Sequence, residues 1–298
     1  MFELPAIELI IFIFVILLYL TAAVLAVCQI RPGGRQHQTI LTHFFALAVV
    51  AEAVILILRA LAIKAFPLTG LFESMLVLTL VMGLLYLAFG IVIRQVWFGS
   101  VMSWLILLMI VLTAFVAHPA VEPQKIASEP WAVAHGLTMI LGAAMVLLAV
   151  VTAYVYLLGS RRLKQKQIVK VIGMVPNIQK LQRINLSALK AAFVFFTFGL
   201  SSGIIGVLLR AEFLGKTSVL WLVDSKIIGI TIVWIILGIV IVLHWLRLIK
   251  GKRIAYATVI MFVWIVFAFV GAHIFCDTKH KFSAQDAPDP TPARELNR

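Results

Sequence analysis

The feature that most constrains this chain is a series of apolar segments, each close to the length that crosses a bilayer as a helix. These segments recur along all 298 residues, and roughly 20 residues of helix span a hydrocarbon core. The chain is 63% hydrophobic and only 12% charged, against about 25% charged residues in an ordinary soluble domain. The sequence therefore predicts an all-α fold, a polytopic membrane bundle of about eight transmembrane helices.

The helices are placed by reading the apolar runs against charged residues and Pro/Gly breaks. Their predicted ranges are 5–27, 39–63, 72–93, 101–118, 131–158, 189–210, 226–247 and 254–275. The first run carries Glu3 and lacks a basic segment before it, so we interpret it as a retained helix rather than a signal peptide. We expect residues 1–276 to form the membrane domain and residues 277–298 to form a disordered outer tail.

The basic residues are concentrated in alternate connections. The connections after the first, third, fifth and seventh predicted helices hold most of the Lys and Arg residues. The positive-inside rule then places these connections in the cytoplasm and both termini outside. Topology thus accounts for the net charge of +13 without a nucleic-acid partner.

One cytoplasmic connection, residues 161–190, mixes cations with apolar residues at helical spacing. This pattern suits an amphipathic helix lying on an anionic leaflet and broken at Pro176. A charged linker that only sets the topology fits the same residues, and both interpretations stay open.

Histidines supply most of the candidate chemistry, because polar groups within membrane segments are costly and mark functional sites. Two pairs lie at matched predicted depths: His135 with His273 near the outer side, and His43 with His244 near the cytoplasmic side. Neutral imidazole binds metals and is a common axial ligand of haem iron. The spacing alone leaves haem, a bare metal and a proton relay open.

Two further sets of residues complete the candidate site. Trp221 and Asp224 lie in the outer loop that precedes the seventh helix. The histidines His37 and His280, in an inner loop and in the tail, are predicted to have no functional role. Arg59 follows Glu52 by seven residues, which places both side chains on one face of the second helix. We predict either an internal ion pair or a contact between Arg59 and an anionic group near the outer side.

Several motifs occur in the order found in one membrane-protein family. They comprise Arg59, Pro67 and Glu73-Ser74; Trp131 to His135; Val175-Pro176 to Asn185; Ser202-Gly203 to Gly206; Trp221 to Lys226; Trp234; Leu243-His244; and Gly271 to His273. This series, over residues 55–275, resembles the cytochrome c assembly proteins of the CcsA/HemX type. The Trp221 segment is a reduced form of the family's tryptophan-rich signature, with Ser225 where Pro is expected.

The resemblance implies a haem-binding membrane protein of cytochrome c biogenesis. It implies that haem is presented at the outer face to apocytochrome c, with a second assembly protein, in the bacterial inner (cytoplasmic) membrane. By the same resemblance, His135 and His273 are the axial ligands of the haem iron, and His244 is associated with haem inside the membrane. Trp221 and Asp224 belong to the signature loop, and any enzymatic role is at most that of a haem–apocytochrome c lyase component.

Two alternative functions stay open beside this one, as does a purely structural membrane scaffold with incidental histidines. A HemX-like regulator would act on tetrapyrrole biosynthesis through a cytoplasmic partner, which the reduced signature loop favours. A permease for haem or another small molecule would use the two histidine depths as successive stations. Arg59 or Arg210 would meet a haem propionate under the leading hypothesis, and His43 is added from its depth alone.

Overall fold

The computed structural model describes residues 4–29, 37–68, 70–93, 96–116, 129–165, 178–209 and 225–266. Within these ranges the chain forms eight α-helices and no strand. They are α1 (Ala6–Cys28), α2 (His37–Ile63), α3 (Leu71–Ile93), α4 (Val96–Val116), α5 (Pro130–Lys164), α6 (Ile178–Leu209), α7 (Ser225–Trp245) and α8 (Lys252–Val266). The predicted fold class, an all-α membrane bundle, is confirmed.

Seven of the described helices, α1 to α7, are long and apolar enough to cross a membrane. Their ends carry the expected backbone signals. Pro130 begins α5, where its missing N–H would be unpaired in any case, and Lys64 ends α2 with a left-handed φ of 49°. The protein is therefore an integral membrane protein, and the predicted continuation of the last helix to residue 275 lies outside the described residues.

Two helices are longer than the sequence predicted. α5 has 35 residues and α6 has 32, which correspond to about 50 Å of helix, against a hydrocarbon core of about 30 Å. Residues 178–190, predicted to belong either to a surface helix or to a charged linker, are the first turns of α6, with Leu181 fully buried. Residues 166–177, including the predicted break at Pro176, lie outside the described part of the chain.

The seam between α5 and α6 is the most extensive helix contact in the described bundle. Glycines make this close approach possible. A methyl group added at Gly142 would lie 2.5 Å from Cε1 of Phe196, and one added at Gly199 would lie 2.6 Å from Sδ of Met139. Small residues let helix backbones approach closely in membranes, so these rings and chains occupy the space that Cβ atoms would fill.

One face of the bundle is strongly basic. We call it the basic face: the ends of α5 and α7 and the starts of α6 and α8, with Arg161, Lys164, Lys180, Arg183, Lys190, Arg247, Lys250, Lys252 and Arg253. A small apolar cluster of Ala153, Tyr156, Leu181 and Ala255 packs α5, α6 and α8 together there. The sequence predicts that this face is cytoplasmic. We call the other side the opposite face.

Candidate functional site

His135 is the best-defined candidate ligand in the described chain. It lies near the start of α5 and is partly buried, with Nδ1 2.7 Å from the carbonyl oxygen of Gly199 on α6. A carbonyl only accepts hydrogen bonds, so Nδ1 carries the proton and donates it. The lone pair of the neutral imidazole is then on Nε2, which is the arrangement that orients a histidine toward a metal.

The groove around His135 is lined by small residues of α6. A methyl group added at Gly203 would lie 2.8 Å from Nδ1 of His135, so the imidazole occupies the space left by that glycine. One turn earlier on α5, Cβ of Trp131 would lie 3.8 Å from a methyl group at Gly206. The Gly-rich stretch of α6 thus packs against the His135 ring, which the family resemblance assigns to haem. The lone pair on Nε2 of this ring fits the chemistry of one axial ligand.

The other outer candidates, His273, Trp221, Asp224 and Arg210, all lie outside the described residues. Their assignment as a second axial ligand, a porphyrin contact, a loop-orienting acid and a propionate partner therefore stays a prediction.

The two cytoplasmic-side candidates occupy different parts of the bundle. His43 is exposed on α2, and its Nδ1 lies 2.7 Å from the carbonyl oxygen of Thr39, one turn earlier. His244 is half-buried near the end of α7, with Nδ1 3.4 Å from the carbonyl oxygen of Ile249. α2 packs against α1 and α3, whereas α7 packs against α6 and α8. No extensive contact between described residues therefore joins the helices that carry this pair.

Arg59 is buried in a cluster of carboxylates between α1, α2 and α3. Its Nη2 lies 2.6 Å from Oε1 of Glu73, and its Nη1 lies 3.4 Å from Oε2 of Glu8. The residue is only 4% exposed. The guanidinium therefore joins three helices, and the anionic groups that it meets in the described chain are protein side chains.

The internal ion pair of Arg59 exists, but Glu52 is not its partner. Glu52 is fully buried and accepts a hydrogen bond from the hydroxyl of Tyr19 at 2.8 Å and another from the hydroxyl of Thr79. Sequence reasoning missed Glu8, Tyr19 and Thr79 as partners. The available signal was that each is a polar residue within an apolar run, although the run alone does not say which helices are neighbours.

A second polar arrangement, also missed from the sequence, lies between α6 and α7. The Trp234 ring stacks on Phe193 with centroids 5.4 Å apart, and its indole N–H donates to Oγ1 of Thr197 at 2.8 Å. Gly238 lies beneath Phe193, where an added methyl group would be 3.3 Å from Cε2 of the ring. Trp234 thus fixes how α7 lies on α6, between the levels of His135 and His244.

Comparison with known proteins assigns the family. The chain matches the family model described as Cytochrome C assembly protein over residues 68–278, which is more than half of its length and includes every candidate ligand and loop residue except His43 and Arg59. No curated protein matches the chain in a sequence search. The protein thus belongs to the cytochrome c assembly protein family and has a role in cytochrome c biogenesis.

Proposed function

We propose that this protein binds haem at the opposite face of the bundle, beside α5 and α6, and presents it to apocytochrome c together with a second assembly protein. The observation that carries the proposal is the hydrogen bond from Nδ1 of His135 to the Gly199 carbonyl. It fixes the tautomer and the ring orientation and leaves Nε2 as the ligating nitrogen. The positive-inside rule predicts that this face is the outer one, and the family resemblance implies a bacterial inner membrane.

The roles of the other residues follow from the family resemblance. In this proposal His135 and His273 would hold the haem iron, Trp221 would pack against the porphyrin and Asp224 would orient the loop. When bound, the haem supplies the vinyl groups to which the cysteine thiols of apocytochrome c add. Arg210 is the better candidate for a propionate partner, since Arg59 is engaged by Glu73 and Glu8.

The first experiment is the absorption spectrum of the detergent-purified full-length protein. We expect a Soret band in the wild type and its loss in His135→Ala/His273→Ala, with His37→Ala/His280→Ala as the matched control. His43→Ala/His244→Ala tests whether haem is held at the other depth instead. A wild-type protein without haem, even after reconstitution, would contradict the proposal.

A rescue experiment separates ligation from folding. In His135→Gly, free imidazole can enter the space of the missing ring and supply the nitrogen that the chain has lost. We expect added imidazole to restore the Soret band in this variant and to leave the wild-type spectrum unchanged. A band that stays absent while the variant remains folded by circular dichroism would count against His135 as a ligand.

One observation favours the regulator as the second candidate function. α5 and α6 each exceed the hydrocarbon thickness, and their ends at the basic face pack with α8 into the cluster around Tyr156 and Leu181. A structured, positively charged projection suits a water-soluble partner. Charge reversal at Arg161 and Lys164 that abolishes function, while His135→Ala preserves it, would favour the regulator over the haem-presenting protein.

A further inference from the structure

The basic face carries a cavity of about 570 Å³ between α6, the end of α7 and the turn that leads into α8. Its polar lining consists of Gln182, Lys190, His244, Arg247 and Lys250, and Trp245 borders it. Three of these side chains are permanent cations, and no carboxylate is among the described lining residues. The cavity is large enough for a small anionic group and is lined by cations that attract one.

The described residues that line the cavity supply no counter-charge for these cations. The ion pairs of Arg59 with Glu8 and Glu73 lie at a distant part of the described bundle. The connections that the sequence predicts to be cytoplasmic offer no acid either, because residues 29–37, 93–96, 161–190 and 245–256 contain neither Asp nor Glu. Any counter-charge held by Lys190, Arg247 and Lys250 must therefore come from outside these segments.

The backbone holds Arg247 in a conformation that glycine would adopt more readily. α7 ends with a Schellman motif, in which Leu248 N–H donates to the Leu243 carbonyl and Arg247 N–H donates to the His244 carbonyl. Arg247 occupies the left-handed position with a φ of 60°, where glycine is usual. An arginine at this position gives up stability, and its side chain lines the cavity.

The depth of the cavity corresponds to the lipid headgroups. Trp245 is the last residue of the apolar span Ile227–Trp245, and its side chain is 79% exposed. Exposed tryptophans at the ends of membrane helices sit at the headgroup level. The cations beside Trp245 therefore meet the phosphate layer of the adjacent leaflet rather than bulk solvent.

We propose that this cavity binds the phosphate of an acidic phospholipid headgroup, which Arg247, Lys190 and Lys250 contact through its oxygens. Arginine suits phosphate because its planar fork donates two parallel hydrogen bonds, and basic pockets between membrane helices bind such headgroups. The assignment goes beyond the proposed function and does not depend on haem binding at His135. Inorganic phosphate shares the chemistry, so the experiment includes it separately.

The test titrates the detergent-purified full-length protein with short-chain phosphatidylglycerol, with phosphatidylcholine of equal chain length, and with inorganic phosphate. Bound lipid is counted by native mass spectrometry. We expect wild type to prefer phosphatidylglycerol and Lys190→Gln/Lys250→Gln to lose roughly 30-fold in affinity, about fivefold for each basic residue. The control Lys164→Gln/Arg183→Gln removes two exposed cations of the same face that do not line the cavity, and we expect less than about twofold loss there.

A second variant guards against misfolding. Arg247→Gly removes the cation and suits the left-handed backbone, so a loss of phosphatidylglycerol binding in this variant cannot be ascribed to a broken turn. Equal binding of the two lipids, an equal loss in the control, or inorganic phosphate binding as tightly as the lipid would each overturn the proposal. The proposal would also be overturned if the variants lost affinity for added haem but kept their affinity for phosphatidylglycerol. The cavity would then be assigned to the carboxylates of a tetrapyrrole.

Discussion

The two sets of charged residues in this bundle differ in whether the chain supplies their partners. Between α1, α2 and α3, the Arg59 guanidinium meets Glu73 and Glu8 and is almost fully buried. Around the basic-face cavity, Lys190, Arg247 and Lys250 lie together without a carboxylate among the described lining residues. In the first set the chain supplies both charges and the ion pairs join helices, whereas the second set is open to a ligand. Charged residues whose partners come from the chain itself have a structural role here, and we expect those without such partners to bind a ligand.

The largest effect is expected from breaking the ion pairs of the first set. Arg59→Met leaves the carboxylates of Glu73 and Glu8 buried without their cation, and removing one partner of a buried pair costs about 3–5 kcal/mol. Thermal unfolding in detergent should show this loss, while Arg161→Met at the exposed end of α5 should be nearly neutral. In Arg59→Met/Glu73→Leu/Glu8→Leu, stability should largely return, because an apolar replacement of the whole set removes the unpaired charges. Unchanged stability in the single variant would show that the ion pairs contribute little.

The second prediction concerns the neighbouring carboxyl of Glu52. Glu52→Leu removes the acceptor of the Tyr19 hydroxyl, whereas Thr79 can still donate to the Leu76 carbonyl at 2.9 Å. Leaving the buried Tyr19 donor unsatisfied costs about 1–3 kcal/mol. Adding Tyr19→Phe to Glu52→Leu should cost less than Tyr19→Phe alone, since its hydrogen bond is already gone. Unfolding free energies of the two single variants and the double variant measure this coupling. Strict additivity would mean that the hydroxyl does not interact with Glu52.

The third prediction tests the groove of His135 with a glycine pair. Gly203→Ala places a methyl group 2.8 Å from Nδ1 of His135, so the ring must shift at a cost of about 1–2 kcal/mol. Gly90→Ala is the matched control, because nothing lies within 4 Å of its added methyl group and alanine favours helix by about 0.5–1 kcal/mol. The two variants should therefore change stability with opposite sign, and Gly203→Ala should also weaken haem retention. The same sign in both would contradict the close packing.

The smallest effect is expected in the open set. Arg247→Gly relieves the left-handed φ of 60° and should raise stability by up to about 1 kcal/mol, partly offset by the greater freedom of the unfolded chain. Lys250 does not have a left-handed backbone conformation. Lys250→Gln should therefore leave the free energy of unfolding within about 0.5 kcal/mol of wild type. Thermal unfolding in a neutral detergent measures both. A clear loss of stability in Arg247→Gly would mean that its side chain supports the fold.

The sequence predicted the membrane helices well because hydropathy and chain length determine them almost independently of tertiary contacts. It underestimated α5 and α6, since their ends at the basic face are rich in Lys and Arg and do not resemble membrane segments. Partners were harder to predict. Glu52, on the same helix, was the partner that the sequence suggested for Arg59. The actual partners, Glu73 and Glu8, lie on neighbouring helices, and a hydropathy pattern does not predict which helices are neighbours.

The candidate site was predicted in residue type but not in geometry. His135 was identified from its depth and from the family resemblance, whereas its hydrogen bond to Gly199 depends on the register between α5 and α6. Two cations of the basic-face cavity, Arg247 and Lys250, were interpreted only as topology signals, which predict the side of the membrane on which they lie. Their convergence on one cavity arises from the turn between α7 and α8, which brings Arg247 and Lys250 back toward Lys190.

The glycine seam restricts how this protein can move. Three side chains each pack over a glycine of the facing helix, at helical spacing along both helices: Phe196 over Gly142, Met139 over Gly199 and His135 over Gly203. Sliding α6 along α5 by one turn in either direction would move the Phe196 ring off Gly142 and onto the larger side chains near Met139 or Val146, so we expect the two helices to move together. An opening of the bundle between α6 and α7 would therefore leave this pair intact and would have to separate the stacked rings of Phe193 and Trp234.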